Sequence, residues 1–384
     1  MIPLAIPNLA GNEAEYLAET VRSTFVSSVG PFVTRFESMV AEAAGATRAV
    51  ATSSGTTGLH AAFVAVGVGR DDLVIAPSLT FIATVNAIAH AGAQPWLFDA
   101  SAESWTLDPV LLRECLERET ERTADGRLIH RATGRRVAAV APVYTLGLPA
   151  DMDAIVAVAR DYGLPVVADA AAALGATYRG RPSGALGADL TMYSFNGNKT
   201  VTAGGGGAVV GSDEALVRHL RHLTTTARVG ADYDHDMVGY NYRMTNIQAA
   251  VGCAQMENLD SFLEAKRRID DRYRAGLCGL PGIQGFPRPN WADSACWFSG
   301  IVFEAIAPDR MAALRGRLRD ANIDARPFWK PMHRQLPYQD APRTRQDVSD
   351  DVWTRILTLP CSTQLSEADQ GYVIDTVRRN LKSL

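Results

Sequence analysis

Nothing in this chain supports a disulfide framework or a cysteine metal site. The five cysteines, Cys115, Cys253, Cys278, Cys296 and Cys361, are odd in number, scattered, and form no CxxC or Cys/His ligand spacing. They read as reduced, buried thiols. Long hydrophobic runs are missing as well. No stretch reaches the roughly 18 apolar residues of a membrane span, and the opening MIPLAIPNLAGNEAEY has no basic segment followed by an apolar one. Positive charge is not in excess either: 38 Lys and Arg against 42 Asp and Glu leave a formal charge of -4, whereas a nucleic-acid partner requires a basic face. These absences point to a soluble, cytoplasmic protein that works on small molecules, with no membrane, nucleic-acid or metal partner. What is present is a chain of 384 residues, 47% hydrophobic and 21% charged, enough to bury a large core in two domains or in one domain with an appendage.

Through the first two-thirds, short apolar, β-branched runs alternate with helical stretches, at 47–51, 73–76, 95–98, 137–141, 166–168 and 208–210. The alternation predicts an α/β fold with a mostly parallel central sheet and crossover helices. Ligands of such sheets bind beyond the carboxyl ends of the strands, so Ser53–Thr56, Pro77–Phe81, Asp169 and the 194–199 segment are expected on one edge. Residues 116–136 are too polar for core, carry Asp-Gly and Thr-Gly turn signals, and read as a surface excursion. A helical segment from about 245 runs on through a charged stretch that reads as a solvated face. It bridges a large domain, 1–258, and a smaller C-terminal α/β domain, 259–384, with the N-terminal segment free to pack elsewhere. The smaller domain is expected to hold a strand at 298–303 and helices near 309–320 and 366–381.

One segment concentrates chemistry. In SFNGNKTVTAGGGG, residues 194–207, a lysine, Lys199, precedes four consecutive glycines, which permit close backbone approach and unusual dihedrals that a free surface lysine does not need. Upstream, Asp169 ends the PVVAD strand and is followed by small residues that leave room for a flat ring; the alternative is a helix cap. A pyridoxal cofactor needs a lysine for the imine, an acid for the pyridine nitrogen, an anion site for phosphate and a flat apolar wall. TSSGTTGLH, 52–60, lies between a strand and a helix and offers Ser54, Gly55 and Thr56 with free backbone N–H groups, although an ordinary helix cap has the same pattern. Phe81 in SLTFIAT is the candidate wall, or else a core aromatic.

The order SGT, PSLTF, DA, SFNGNK with GGGG, and GYNYRMTNIQAAVG at 239–252 resembles the DegT/DnrJ/EryC1/StrS family of nucleotide-sugar aminotransferases along nearly the whole chain. The opening IPLAIPNL, the polar excursion ending TGRR, and RPFWKPMH at 326–333 are similar to the branch that aminates a 4-keto UDP-sugar for legionaminic acid or bacillosamine pathways. The resemblance implies an aspartate-aminotransferase-like (fold type I) enzyme that uses pyridoxal 5′-phosphate, with L-glutamate and a UDP-2-acetamido-4-keto-6-deoxy sugar as substrates. Lys199 would form the Schiff base and then carry the proton, and Asp169 would pair with the pyridine nitrogen. Ser54, Gly55, Thr56, Phe81, Ser194 and Asn196 would contact the cofactor. Asn241 would reach the phosphate of a neighbouring subunit, implying a homodimer with interfacial sites. Arg326, Trp329, Lys330 and His333 sit where relatives handle substrate; a packing role in the small domain is the alternative.

Two departures stand out. Relatives carry His, Gln or Glu three positions after the aspartate, where this chain has Ala172, and VYTLGLP at 143–149 differs from the commoner HVFGNP-like loop. Both bear on tuning and substrate fit. Competing readings are a sugar dehydratase on the same scaffold, against which Lys199 argues because those relatives carry histidine there, a GDP-perosamine-type aminotransferase, and an inactive binding protein, which only Ala172 favours.

Overall fold

The computed structural model describes residues 1–381. Its centre is a sheet whose strands run, in spatial order, Gln94–Phe98, Leu73–Pro77, Arg135–Val140, Val167–Asp169, Leu190–Ser194, Gly207–Gly211 and Arg48–Thr52. Single parallel bridges, Val140 to Val166 and Val143 to Asp169, join its two halves. Within this row only Gly207–Gly211 runs against its neighbours. Successive residues face opposite sides: Leu73 and Ile75 enter one core with Phe36, Trp96 and Tyr193, while Val74 and Ala76 enter the other with Leu59, Phe63 and Val209. Apolar runs, rather than apolar–polar alternation, follow from covering both faces. Helices Gly55–Ala65, Ile82–His90 and Glu214–Thr224 contribute to the second of these cores.

The excursion at 116–136 is more ordered than its polarity suggests. Thr120–Arg122 and Leu128–His130 pair antiparallel and extend the sheet beyond Arg135–Val140. The expected turns are there, with Gly126 and Gly134 at φ of +83 and +67, but the inward-facing Leu128 and His130 are buried. A strand that is half charged hides its apolar side from a simple polarity reading. The segment from 245 also breaks, into Asn246–Met256 and Leu259–Leu277.

The C-terminal part forms an antiparallel sheet, Ile283–Gln284, Ser299–Phe303, Ile356–Leu359 and Arg326–Pro327, with helices Leu259–Leu277, Pro308–Asp320 and Glu367–Leu381 around a core of Ile301, Leu314, Leu357 and Val373. The first residues of the chain join this unit: Ile2 bridges Ile323, and Leu4 accepts from Cys361 N–H at 2.7 Å. The segment after 330 returns to the large sheet. Asp99, buried just beyond Gln94–Phe98, accepts from Val348 and Ser349 N–H, each at 2.8 Å, and from the Ser349 hydroxyl. Asp99→Ala strands these donors in the interior, so unfolding by denaturant should show a loss of about 2–4 kcal/mol.

Candidate active site

The strands Arg48–Thr52, Leu73–Pro77, Arg135–Val140, Val167–Asp169 and Leu190–Ser194 end at one edge, and there a cavity of about 580 Å³ opens. Its wall includes Ser54, Gly55, Thr56, Phe81, Asp169, Ser194, Asn196 and Lys199 from the large sheet, and Arg326 and Trp329 from the C-terminal unit. Asn241, Lys330 and His333 are not part of it. Asn241 is exposed and bridges Thr225, and Lys330 is exposed. His333 is held behind the wall: its N–H donates to Ser78 Oγ at 3.2 Å, its Nδ1 lies 2.7 Å from the same hydroxyl, and its Nε2 lies 2.9 Å from Asp350. Within this chain His333 ties the 330–350 segment to the sheet edge.

Asp169 is 5% exposed. Its Oδ2 accepts from the Thr84 hydroxyl at 2.6 Å and its Oδ1 from Ala171 N–H at 3.0 Å. Burial pushes its carboxyl up, and these two donors and the charge of Lys199 pull the other way. Backbone pairing fixes its place, since Asp169 N–H donates to Pro142 O and Tyr144 N–H to Asp169 O, both at 2.9 Å. Next to it the turn Thr145–Gly147 folds onto Ala172 so closely that a Cβ on Gly147, at φ +89, would lie 2.7 Å from the Ala172 carbonyl. Tyr144 and Thr145 belong to the cavity wall, and their hydroxyls are buried without a protein partner.

Lys199 sits on a loop closed at its base. Phe195 N–H donates to Gly206 O at 3.0 Å, Ala203 N–H to Phe195 O at 2.9 Å, and the buried Phe195 ring packs edge-on against Phe36. Inside the cavity, burial pulls the Lys199 amine down to about 8, partly opposed by Asp169. Its Nζ lies 3.7 Å from the centre of the Trp297 ring.

Ser54 caps helix Gly55–Ala65, accepting from Thr57 N–H while the Thr57 hydroxyl accepts from Ser54 N–H. The N–H groups of Gly55 and Thr56, in the first turn, have no intrahelical acceptor and face the cavity edge with the positive end of the helix dipole. This is why the glycines matter: a Cβ on Gly207 would lie 2.7 Å from Gly55 N, and one on Gly55 would lie 3.1 Å from Ser194 Cβ.

Sequence reading missed Thr84, Trp297 and Leu4. Thr84 had a faint signal, its spacing of four from Thr80, whose hydroxyl lies 3.0 Å from that of Thr84 across the start of helix Ile82–His90. Trp297 and Leu4 reach the cavity from the C-terminal sheet and the chain start, and nothing local marks them.

Residues 7–378 match the DegT/DnrJ/EryC1/StrS aminotransferase family. The chain belongs to this family. It is 37% identical to a GDP-perosamine synthase of Caulobacter vibrioides over 97% of this chain and 96% of that one. It is 36% identical to EpsN of Bacillus subtilis, provisionally named a pyridoxal phosphate-dependent aminotransferase, over 98% and 95%. Among solved structures, S. venezuelae DesV in complex with a ketimine intermediate superimposes with a TM-score of 0.85 at 31% identity, covering 96% of this chain and 94% of that one. A family member from Brucella abortus gives 0.86 at 28%, covering 96% and 95%. The family thus agrees with the fold read from strand alternation.

In the cofactor-free protein the Lys199 amine should titrate at about 8 rather than 10.5, measurable from the pH dependence of its reductive methylation. Because the folded value lies below the unfolded one, the folded state binds fewer protons between these values, and stability rises with pH across that window. The Lys199→Met variant should lack this rise in denaturant melts from pH 8 to 10.

Proposed function

We propose that this aminotransferase moves the amino group of L-glutamate to the C4 keto group of a nucleotide-linked 4-keto-6-deoxy sugar, in two half-reactions on pyridoxal 5′-phosphate. The observation that supports it most is a desolvated lysine amine and a buried carboxylate sharing one cavity beside a helix N-terminus with free N–H groups. The residues fit the cofactor. Lys199 and Asp169 line one cavity, and the close approach of Gly207, where a Cβ would lie 2.7 Å from Gly55 N, leaves the helix start uncovered by any side chain.

When bound, the cofactor supplies an electron sink for the pair left on Cα as its proton departs. Asp169 would face the pyridine nitrogen, where a charge-assisted hydrogen bond contributes roughly 1.5–3 kcal/mol. Gly55 and Thr56 N–H groups, with the Ser54 and Ser194 hydroxyls and Asn196, would hold the phosphate, and Phe81 would cover the ring. Lys199 would bond the cofactor covalently and, once freed, would carry the proton between Cα and the cofactor's C4′. An amine of about 8 is available as a base near neutral pH, where an ordinary lysine is not. Arg326 and Trp329 face the sugar nucleotide; Arg326 is already paired with Asp324 at 2.7 and 3.0 Å.

The sequence pattern favours a UDP-2-acetamido sugar. Three relatives at 34–37% identity are named GDP-perosamine synthases, which favours a GDP-4-keto sugar as the second reading. A panel of 4-keto UDP-, GDP- and dTDP-sugars with glutamate, read by product mass, decides between them; a product without added amine would instead establish a dehydratase. Glutamate should bleach the visible absorbance of the bound cofactor, and Lys199→Ala should abolish turnover. An active Lys199→Ala variant would falsify the reading.

The same reading includes a homodimer. Val229, Tyr233, Met237 and Val238 lie exposed on the segment leading to Asn241, as do Phe25, Val26 and Val29, with Tyr233 at 85% and Val238 at 83%. Exposed apolar residues gathered on neighbouring segments mark an interaction surface. If Asn241 serves the neighbour's site, mixing inactive Lys199→Ala and Asn241→Ala proteins should restore part of the activity, and no recovery after subunit exchange would sink the idea. Among the described residues no helix is long and apolar enough to cross a membrane.

A further inference from the structure

Trp297 is fixed at both its backbone and its ring, and its backbone N–H donates to Leu146 O at 3.3 Å. Its indole N–H donates to Asn198 O at 2.7 Å, one residue before Lys199. Its carbonyl accepts from Lys266 Nζ at 2.8 Å, an ammonium 2% exposed that also donates to Cys361 O at 2.6 Å. Its ring stacks on Phe298, with centres 3.8 Å apart. The backbone turns into this position through Cys296, at φ +50. A large ring is thus held firmly in the C-terminal unit, with the Lys199 amine 3.7 Å from its centre.

We propose that Trp297 is the positioning residue for the free Lys199 amine, its indole face being the seat the ammonium occupies whenever the lysine is not bonded to the cofactor. The proposal rests on Lys199 being the cofactor lysine. In the first half-reaction the amine of glutamate would take the place of the lysine amine, which would then have to stay within reach of the reacting carbon until it returns as the amino sugar leaves at the end of the second. A four-carbon stem loses considerable freedom when held in one geometry, and among the described residues no ion pair holds Lys199. The ring quadrupole attracts the ammonium and not the neutral amine, so the seat retains the protonated form and releases the base.

The charged and titratable groups around this seat come from several elements. Asp169, at the end of Val167–Asp169, favours the ammonium. Arg326, on the opposite wall, is neutralised by Asp324. Lys266 lies behind the Trp297 carbonyl, and the Tyr144 phenol, which burial keeps protonated, is directed toward Tyr193 in the core. Only Trp297 is shown against the amine itself.

The test measures the Lys199 midpoint in cofactor-free protein, from the pH dependence of its reductive methylation read by peptide mass spectrometry. Wild type, Trp297→Phe and protein carrying tetrafluorotryptophan at position 297 are compared; the last keeps the indole shape and weakens the quadrupole. The midpoint should fall in both, by about half a unit to one unit in the fluorinated protein. In turnover, Trp297→Leu should lower kcat about 10- to 100-fold with KM changed less than about threefold, as displacement of a catalytic group does, and Trp297→Phe should fall between. A midpoint that stays or rises in the fluorinated protein, or an unchanged kcat in Trp297→Leu, overturns the proposal. Added pyridoxal phosphate should protect Lys199 from methylation in all these proteins. Missing protection in wild type would instead remove Lys199 as the cofactor lysine.

Discussion

Burying the carboxylate of Asp169 is unfavourable, and the local architecture is organised around meeting that cost. Thr84 and Ala171 donate to its two oxygens, the adjoining strand end clamps its backbone, and Lys199 shares its cavity. The Lys199 amine is in the opposite position, destabilised as a cation by the same loss of water and partly restored by the same carboxylate. Burial is the larger influence on both groups, and each charge moderates its effect on the other. A charge that needs a partner in low dielectric keeps it close, and a ligand that brings a positive ring nitrogen to Asp169 frees the amine from that duty.

Five strands of the large sheet end at this place, but they supply only part of the wall. Much of the remainder is aromatic and arrives from the C-terminal unit: Trp297, Phe298, Phe328 and Trp329 form a continuous set of ring contacts that meets Phe81 across the opening. Water exclusion therefore depends on how the two units sit together. The buried Lys266, bridging the carbonyls of Trp297 and Cys361, holds the segment that carries Trp297 and Phe298 to helix Leu259–Leu277.

What could be read from the sequence follows a simple division. Lys199, Asp169 and the 53–56 loop were legible because each sits in a local pattern, a lysine before glycines, an acid after an apolar strand, a hydroxyl-rich turn before a helix. Trp297 was not, because its role depends on a loop about a hundred positions away. His333 shows the converse. Its neighbourhood in sequence suggested substrate contact, but Ser78, 255 positions distant, and Asp350 draw it into the scaffold. The strands at 120–130 were hidden by their charged outer faces, and the break in the helical segment from 245 is one that no proline or glycine announces.

The helix start at Gly55 has a further consequence. Ser54, Gly55, Thr56 and Ser194 present backbone amides and hydroxyls but no cation. A dianion held here, as proposed, would be attracted by fixed dipoles in a recessed site rather than by mobile, solvated side-chain charges. Dissolved ions screen exposed charges far more than buried dipoles. Occupancy of such a cradle would accordingly vary little with ionic strength, even in salt that would strip a phosphate from a lysine-rich surface.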